Sequence, residues 1–157
     1  MRLFFVRHAK SLDRSSWLND DLLRPLSDKG INGANIIFNS LAKIYEAPEY
    51  IITSKAQRAL ETAKIFQKYF ASSVLVPTEL LHPGAPSDVF VELINKYSSA
   101  KTIAFVGHEP DLGNVLLDFL GCDALDVEIK KGTIIEIEFE VGSKALLRAL
   151  IPPKVLL

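Results

Sequence analysis

The sequence contains little cysteine and little histidine. Cys122 is its single cysteine, which excludes a disulfide bond within the chain. Together with three histidines, at positions 8, 82 and 108, it offers few of the side chains from which metal sites are built. We therefore expect a protein of a reducing compartment that works without a metal ion or another cofactor.

Long hydrophobic runs are absent as well. At the N-terminus the apolar residues 3–6 are followed at once by the charge of Arg7. A signal peptide needs an apolar region of roughly 7 to 15 residues, and a membrane-spanning helix needs roughly 18, so neither is predicted here. This pattern favours a cytoplasmic location.

No single sign of charge dominates the chain. The 18 lysines and arginines nearly balance the 19 aspartates and glutamates, which leaves a formal net charge of -1 at pH 7. The molecule as a whole therefore has no field that would attract a nucleic-acid backbone or an anionic membrane. We expect neither as a partner, and we expect any positive site to be local.

The hydrophobic pattern predicts an α/β fold. The 157 residues, of which 48% are hydrophobic, suit one domain, residues 1–157, with its own core. Short apolar runs at 3–6, 50–53, 74–76 and 102–106 are typical of strands buried on both faces. Helices are predicted between them, starting at Ser27-Asp28, at an N-cap on Ser54, and over 89–97. This alternation favours a three-layer sandwich with a mostly parallel central sheet flanked by helices.

The first of these helices is expected to bury one apolar stripe. Its members recur at helical spacing and are Ile31, Ala34, Ile37, Phe38 and Leu41.

The C-terminal part of the chain has a different pattern. Residues 135–141 alternate between apolar side chains and glutamates, which predicts a strand with one wet and one buried face. Residues 145–151 could pair with it across the Gly142-Ser143 turn, so the sheet should finish with antiparallel strands. Between Arg58 and His108 there is room only for the rest of one helix, two strands, a loop and one more helix. No helical lid domain is predicted.

Two histidines fall where ligands bind in folds of this class. His8 and Arg7 follow the first strand, and His108 follows the strand at 102–106. Ligands of such sheets bind beyond the carboxyl ends of the strands, so His8 and His108 form a candidate pair. A neutral imidazole can act as a nucleophile toward phosphorus, and arginine suits the spread charge of a phosphoryl group. Arg7, Arg58 and Arg24 are the candidate phosphate-binding cations.

The two histidines should take different roles. Cations crowded around His8 are expected to hold its pKa below the ordinary value of about 6.5, which keeps the ring neutral and nucleophilic. A bound phosphate should act in the opposite direction on His108, which could then stay protonated and donate.

Each candidate also has a purely structural interpretation. His8 can be a loop or core histidine, and His108 can simply belong to a strand-to-helix turn. His82 is interpreted as a loop histidine. Glu79 is a possible general acid, or equally a polar residue of a loop.

The arginines have structural alternatives too, because each can form an ion pair in place of a phosphate contact. Arg7 can be half of a surface ion pair. The other pairs to be considered are Arg58 with Glu61 and Arg24 with Asp20 or Asp21.

Four segments, in order along the chain, resemble the histidine phosphatase superfamily, whose opening signature is an Arg-His pair after the first strand. They are VRHAKS at 6–11, LRPLS at 23–27, TSKAQRALETA at 53–63 and VGHEP at 106–110. The family usually has glycine after the Arg-His pair, where this chain has Ala9. We expect the added methyl group to change the backbone approach slightly without loss of the chemistry.

The resemblance implies a role for each matching residue. His8 would be the phosphorylated nucleophile, with Arg7, Arg58 and His108 completing the phosphate pocket and Arg24 lining the same site. Within the superfamily, the sequence is most similar to the small SixA-type phosphohistidine phosphatases. This resemblance implies a phosphorylated protein as the substrate. Such a substrate would be a phosphotransfer or histidine-containing signalling domain.

Two other functions stay open on the sequence. One is a small-molecule phosphomonoesterase or mutase of the same fold, which the lack of a lid counts against. The other is a module that binds phosphoproteins without turning them over.

Overall fold

The computed structural model describes residues 1–124, 126–140 and 142–157. Its strands and helices alternate through the first four strands and end in two consecutive strands. The strands are β1 Arg2–Arg7, β2 Tyr50–Ser54, β3 Val74–Thr78, β4 Thr102–Gly107, β5 Ile134–Glu138 and β6 Leu146–Ile151. The helices are α1 Asp28–Leu41, α2 Gln57–Tyr69, α3 Ser87–Lys96 and α4 Asp111–Leu120.

The six strands form one sheet in the order β3-β2-β4-β1-β5-β6. The pairs β2 with β3, β2 with β4 and β1 with β4 are parallel, whereas β5 pairs antiparallel with both β1 and β6. The predicted α/β class, with a mostly parallel sheet and antiparallel C-terminal strands, is therefore confirmed. Of the alternating stretch 135–141, Val141 lies outside the described residues.

Helices cover both faces of the sheet, which explains the continuous apolar run in β1. Leu3 and Phe5 belong to a buried cluster that includes residues of α3 and α4. Phe4 and Val6 belong to a second cluster with residues of α1 and α2. Because successive side chains of a strand point to opposite faces, a strand covered on both sides must be apolar at every position.

The wet face predicted for β5 is only partly present. Glu136 is buried, where it accepts a hydrogen bond from the Tyr45 hydroxyl at 2.8 Å and pairs with Arg2 at 3.1 Å. The prediction was wrong at this residue because Tyr45, beyond α1, covers that part of the sheet.

Helix α1 begins as predicted, with the Ser27 hydroxyl accepting a hydrogen bond from the Gly30 amide at 3.2 Å. The prediction of its buried apolar stripe was wrong at one position, because Ile31 is 39% exposed. Gly30 is the buried residue of the first turn, and a Cβ built there would lie 1.9 Å from the Lys10 carbonyl oxygen. The loop after β1 packs so closely on this turn that only glycine fits.

The N-cap predicted at Ser54 was also wrong. Helix α2 starts two residues later than that cap implies, at Gln57 with Ala56 as the capping residue, and Ser54 is the last residue of β2. The Ser54 hydroxyl accepts a hydrogen bond from the Ala56 amide at 3.1 Å, so it stabilises the turn between strand and helix instead. Among the described residues, no helix has both the length and the apolar character needed to cross a bilayer.

Candidate active site

His8 and His108 are brought together by the pairing of β1 with β4. The two strands are parallel and in register, with Arg7 opposite Gly107, so the residues that follow them lie side by side. The amide of His8 donates to the Gly107 carbonyl at 3.0 Å, and the two imidazole ring centroids are 5.2 Å apart. The proximity expected from the strand-end rule is therefore observed.

The buried ring of His8 is held in a defined orientation. Its Nδ1 lies 2.8 Å from the carbonyl oxygen of Ala9. Because a carbonyl can only accept, Nδ1 carries the proton in this contact and the lone pair of the neutral ring is on Nε2. The Ala9 amide in turn donates to the hydroxyl of Thr62 at 3.0 Å, and that hydroxyl donates to the Arg58 carbonyl at 2.7 Å. The loop that carries His8 is thus tied to α2.

His108 is positioned by a residue that the sequence did not reveal as part of the site. Its Nε2 lies 3.0 Å from the hydroxyl oxygen of Ser54. Its Nδ1 is buried and has no hydrogen-bond partner among the described residues. The signal that could have found Ser54 is the same strand-end rule, because β2 is the other neighbour of β4 and ends at this residue.

Arg7 extends from the end of β1 toward the segment before β5. One terminal nitrogen of its half-buried guanidinium donates to the carbonyl of Ile129. Its Nε is buried without a hydrogen-bond partner in the described part of the chain. A buried N–H without an acceptor is unusual in proteins and is a place where a ligand oxygen fits.

Arg58 lies in the first turn of α2 and is 4% exposed. It does not pair with Glu61, whose carboxylate accepts hydrogen bonds from the Leu26 amide and the Gln57 side chain, each at 2.7 Å. Its terminal nitrogens instead bind Asp21, at 2.8 Å from the backbone oxygen and 3.2 Å from Oδ2. The Nε of Arg58 is a second buried N–H without a partner among the described residues.

Arg24 is also buried, and it contacts the same aspartate as Arg58. Its Nε donates to Oδ1 of Asp21 at 2.9 Å, and one terminal nitrogen donates to the Ser11 hydroxyl at 2.6 Å and the Leu12 carbonyl at 2.8 Å. The ion pair with Asp21, one of the structural alternatives, is therefore present. Asp21 therefore bridges Arg24 and Arg58.

Both histidines are neutral at neutral pH. Burial lowers the pKa of His8 to about 2, and the hydrogen bond to Ala9 acts in the opposite direction. The neighbouring His108 and the charges of Arg58 and Arg7 lower this pKa further. Burial, then Arg58 and His82, lower the pKa of His108 to about 3. The predicted direction for His8 is confirmed, although burial contributes more than the cations do.

The segment after β3 contains two further ionisable residues, Glu79 and His82. Glu79 is exposed and pairs with Lys55 at 3.1 Å, and this hydrogen bond and the Lys55 charge lower the pKa of the carboxyl. His82 is half-exposed, and its charge contributes to the low pKa of His108. The loop location of His82 was predicted, but its electrostatic link to His108 was not.

Glu109 is an ionisable residue at the site that sequence reasoning left without a role. It follows His108 directly and is half-buried, and burial raises its pKa although Arg7 acts in the opposite direction. Its Oε1 accepts a hydrogen bond from the Gly113 amide at 3.0 Å, which anchors it to the first turn of α4. Within the described ranges, no group of three or more His, Cys, Asp or Glu side chains is placed to hold a metal ion.

Within the described part of the chain, the site combines a neutral imidazole whose Nε2 has no hydrogen-bond partner, a second neutral histidine and two arginines that each have a buried N–H without an acceptor. These are the parts needed to bind a phosphoryl group and to attack it. The family model of the histidine phosphatase superfamily (branch 1) matches residues 3–81, which include both arginines and His8. The chain belongs to this superfamily.

One relative by sequence is an uncharacterised protein of Picosynechococcus sp. (strain ATCC 27264 / PCC 7002 / PR-6). The two are 31% identical over an alignment of 119 residues that covers 72% of this chain and 69% of the relative.

Solved structures share the fold over nearly the whole chain. SixA of Agrobacterium tumefaciens is 24% identical and aligns with a TM-score of 0.84 over 97% of this chain and 98% of its own. A protein histidine phosphatase SixA complexed with tungstate is 17% identical, with a TM-score of 0.85 over 99% of both chains. The alpha-ribazole phosphatase of Shigella flexneri is also 17% identical, with a TM-score of 0.79 over 98% of this chain and 97% of its own. The fold of this protein is thus that of the small SixA-type structures.

Proposed function

We propose that this protein is a phosphohistidine phosphatase in which His8 is the nucleophile. The observation that carries the proposal is the 2.8 Å contact between Nδ1 of His8 and the Ala9 carbonyl. It fixes the tautomer with a lone pair on Nε2, and burial keeps the ring unprotonated at neutral pH. A nucleophile in this state needs no separate base to activate it.

Arg7, Arg58 and His108 form the proposed phosphate pocket. Leaving a buried N–H without an acceptor costs about 1 to 3 kcal/mol, and both Arg7 and Arg58 have such a group at Nε. The oxygens of a phosphoryl group supply acceptors, and the fixed cations stabilise the charge spread over those oxygens during transfer. Both arginines are already held by other contacts, so little reorganisation is needed when the substrate binds.

The reaction proceeds in two transfers. In the first, Nε2 of His8 forms a bond to phosphorus while the phosphorus–nitrogen bond of the substrate breaks, and the leaving imidazole takes up a proton from solvent. In the second, the oxygen of a water molecule forms a bond to phosphorus while the bond between phosphorus and Nε2 of His8 breaks. Orthophosphate is released, the proton of the water passes to solvent, and neutral His8 is regenerated. A nitrogen leaving group is protonated easily, so this substrate needs no strong general acid. The low pKa of Glu79, which leaves it ionised, is consistent with such chemistry.

The proposed substrate is a phosphohistidine on another protein, such as a phosphotransfer domain. The site lies at the open ends of the strands, and the described part of the chain contains no helical lid over it. A protein surface can reach such a site more easily than a deep one. The exposed free thiol of Cys122 suits the reducing cytoplasm as the place of action.

A small-molecule phosphomonoesterase is the second candidate. The alignment with an alpha-ribazole phosphatase covers 98% of this chain and 97% of that enzyme. An enzyme with a small-molecule name therefore has the same fold without an added lid domain, so the lack of a lid does not by itself exclude a small-molecule substrate. Substrate profiling distinguishes them.

The test compares the wild-type protein with His8→Ala on a phosphohistidine protein and on an aryl phosphate, with EDTA present throughout. We expect the wild type to turn over the phosphohistidine protein, and we expect His8→Ala to lose this activity. Transient labelling of the wild type by the phosphodonor should be absent in the variant. Turnover of the aryl phosphate alone favours the small-molecule enzyme, and phosphoprotein binding without turnover favours a binding module. Activity that persists in His8→Ala contradicts the proposed nucleophile.

A further inference from the structure

A groove of about 510 Å³ adjoins the active site on the α1 side. It begins at Arg7 and runs between the first half of α1 and the segment before β5. Its floor includes Ala34 and Ile37, whose side chains are almost fully buried. Its lysines are Lys10, Lys29, Lys130 and Lys131.

The charge of this groove differs from that of the whole molecule. Five cationic side chains line it, Arg7 and the four lysines, against one carboxylate, that of Glu128. The formal net charge of the chain is -1, so positive charge is concentrated here. This is the local basic surface that the balanced composition left possible.

Most of this positive charge is not neutralised by the protein. Lys130 pairs with Glu128 at 3.2 Å. Among the described residues, Lys10, Lys29 and Lys131 have no acidic group within the 4.0 Å of a salt bridge. The pKa of Lys131 is lowered by burial and then by the charges of Arg7 and Arg24, and the more weakly acting Asp13 does not outweigh them. Carboxylates brought by a partner would relieve this repulsion.

We propose that the groove, through Lys29, Lys130 and their neighbours, docks an acidic segment of the phosphoprotein substrate next to its phosphohistidine. The proposal rests on the proposed function and names the substrate class of that site. Arg7 belongs both to the groove and to the phosphate pocket, so a segment bound in the groove continues directly into the reacting group. Carboxylates of the segment would lie near the lysines.

The experiment measures binding of short labelled peptides by fluorescence anisotropy. Each peptide carries the same non-hydrolysable phosphohistidine analogue, flanked either by aspartate and glutamate or by asparagine and glutamine. We expect the acidic peptide to bind about fivefold to tenfold more tightly, because each exposed ion pair adds only a modest free energy. This preference should decrease as salt is raised.

Charge reversal at Lys29 and Lys130 should remove the preference, so the double variant Lys29→Glu, Lys130→Glu should bind both peptides equally or prefer the amide-flanked one. The matched control is Lys43→Glu, which makes the same kind of charge change just beyond the other end of α1, about 20 Å away along the helix. It should keep the preference of the wild type.

Several outcomes would overturn the groove proposal. The first is equal affinity of the wild type for the two peptides. The second is a loss of the preference for the acidic peptide in Lys43→Glu as large as that in the double variant. The third is tighter binding of a DNA oligonucleotide or an anionic vesicle than of the acidic peptide. Turnover of an aryl phosphate by the wild type is followed separately. If that turnover and phosphohistidine turnover are both absent, the proposed function fails, whereas the peptide comparison still decides what the groove binds.

Discussion

The imidazole of His108 is hydrogen-bonded to the hydroxyl of Ser54, with 3.0 Å between Nε2 and Oγ. The two residues lie at the ends of neighbouring parallel strands, β4 and β2. The Ser54 hydroxyl also accepts the Ala56 amide, so the first turn toward α2 and the second histidine share one anchor. We interpret Ser54 as a positioning residue for His108.

Ser54→Ala should weaken catalysis more than folding. Loss of the hydrogen bond should lower the free energy of unfolding by about 1 kcal/mol. Release of His108 should lower kcat/KM by about tenfold, which corresponds to about 1.4 kcal/mol of lost transition-state stabilisation. Steady-state kinetics and urea unfolding measure the two effects.

Ser73→Ala is the matched control for this prediction. Ser73 is also buried, and its hydroxyl donates to the Pro48 carbonyl at 2.6 Å, away from the site. It should show a similar loss of stability with unchanged kcat/KM. An equal loss of activity in both variants would mean that Ser54 acts only through stability.

Asp21→Asn should impair phosphate binding. Burial by itself raises the pKa of this carboxyl, but the hydrogen bond from Arg24 and the charges of Arg58, Arg24 and Arg14 outweigh it and lower the pKa below its usual value. The carboxylate is therefore ionised at neutral pH, and the substitution removes the charge shared by Arg24 and Arg58. We expect a loss of about 1 to 3 kcal/mol in the free energy of unfolding and an approximately tenfold lower kcat/KM.

The neighbouring Asp20 provides the control. Its carboxylate accepts a hydrogen bond from the Leu22 amide at 3.0 Å, and asparagine caps such a turn equally well. Asp20→Asn should therefore be nearly silent in both assays. A silent Asp21→Asn would show that the bridge between the two arginines is dispensable.

Gly30→Ala should be strongly destabilising. A Cβ at this position would lie 1.9 Å from the Lys10 backbone oxygen, which also accepts from the Ser27 amide at 2.9 Å. The loop that carries His8 would have to move, at a cost of about 2 to 3 kcal/mol, and activity should fall with it. Thermal unfolding and aryl phosphate turnover measure the two effects.

The same helix contains a glycine that should tolerate the change. At Gly33 an added Cβ would meet only a Leu157 side-chain carbon, at 3.7 Å, which is ordinary contact. Gly33→Ala should raise the free energy of unfolding by about 0.5 to 1 kcal/mol because alanine is the better helix former. Equal destabilisation by both substitutions is the result that the structure excludes.

Acid should destabilise the protein through its two buried histidines. Burial is the main cause that lowers their pKa values to about 2 for His8 and about 3 for His108, whereas in the unfolded chain the value is about 6.5. The unfolded state therefore takes up protons first as pH falls below about 6.5. The free energy of unfolding should decrease by up to about 1.4 kcal/mol per pH unit for each histidine, until pH reaches the folded-state values.

Urea unfolding at pH 7 and at pH 5 measures this effect. The two histidines together should lower the stability of the wild type by about 4 kcal/mol over this interval, or about 2 kcal/mol each. In His8→Asn, the free energy of unfolding should decrease by only about 2 kcal/mol over this interval, which is the contribution of His108. If this variant instead lost as much stability as the wild type between pH 7 and pH 5, His8 would not be a buried, neutral histidine.

Much of the fold is readable from local sequence. The apolar runs of β1 and β4 and the polar cap at Ser27 depend on neighbours a few residues apart, so their pattern predicts the element directly. The predictions failed where a distant segment determines burial. Ile31 is exposed because the loop after β1 packs on Gly30, and Glu136 is buried because Tyr45 covers it.

The sequence by itself determined which residue types are available for the site: two histidines and two arginines near strand ends and a helix start. Only the tertiary structure decided which atoms of these residues form hydrogen bonds within the protein and which stay available to a ligand. The register of β1 on β4 sets the distance between the rings, β2 brings Ser54 to His108, and Asp21 ties Arg58 to Arg24. These contacts join segments far apart in the chain, and such pairings depend on how whole elements pack, which no local pattern encodes.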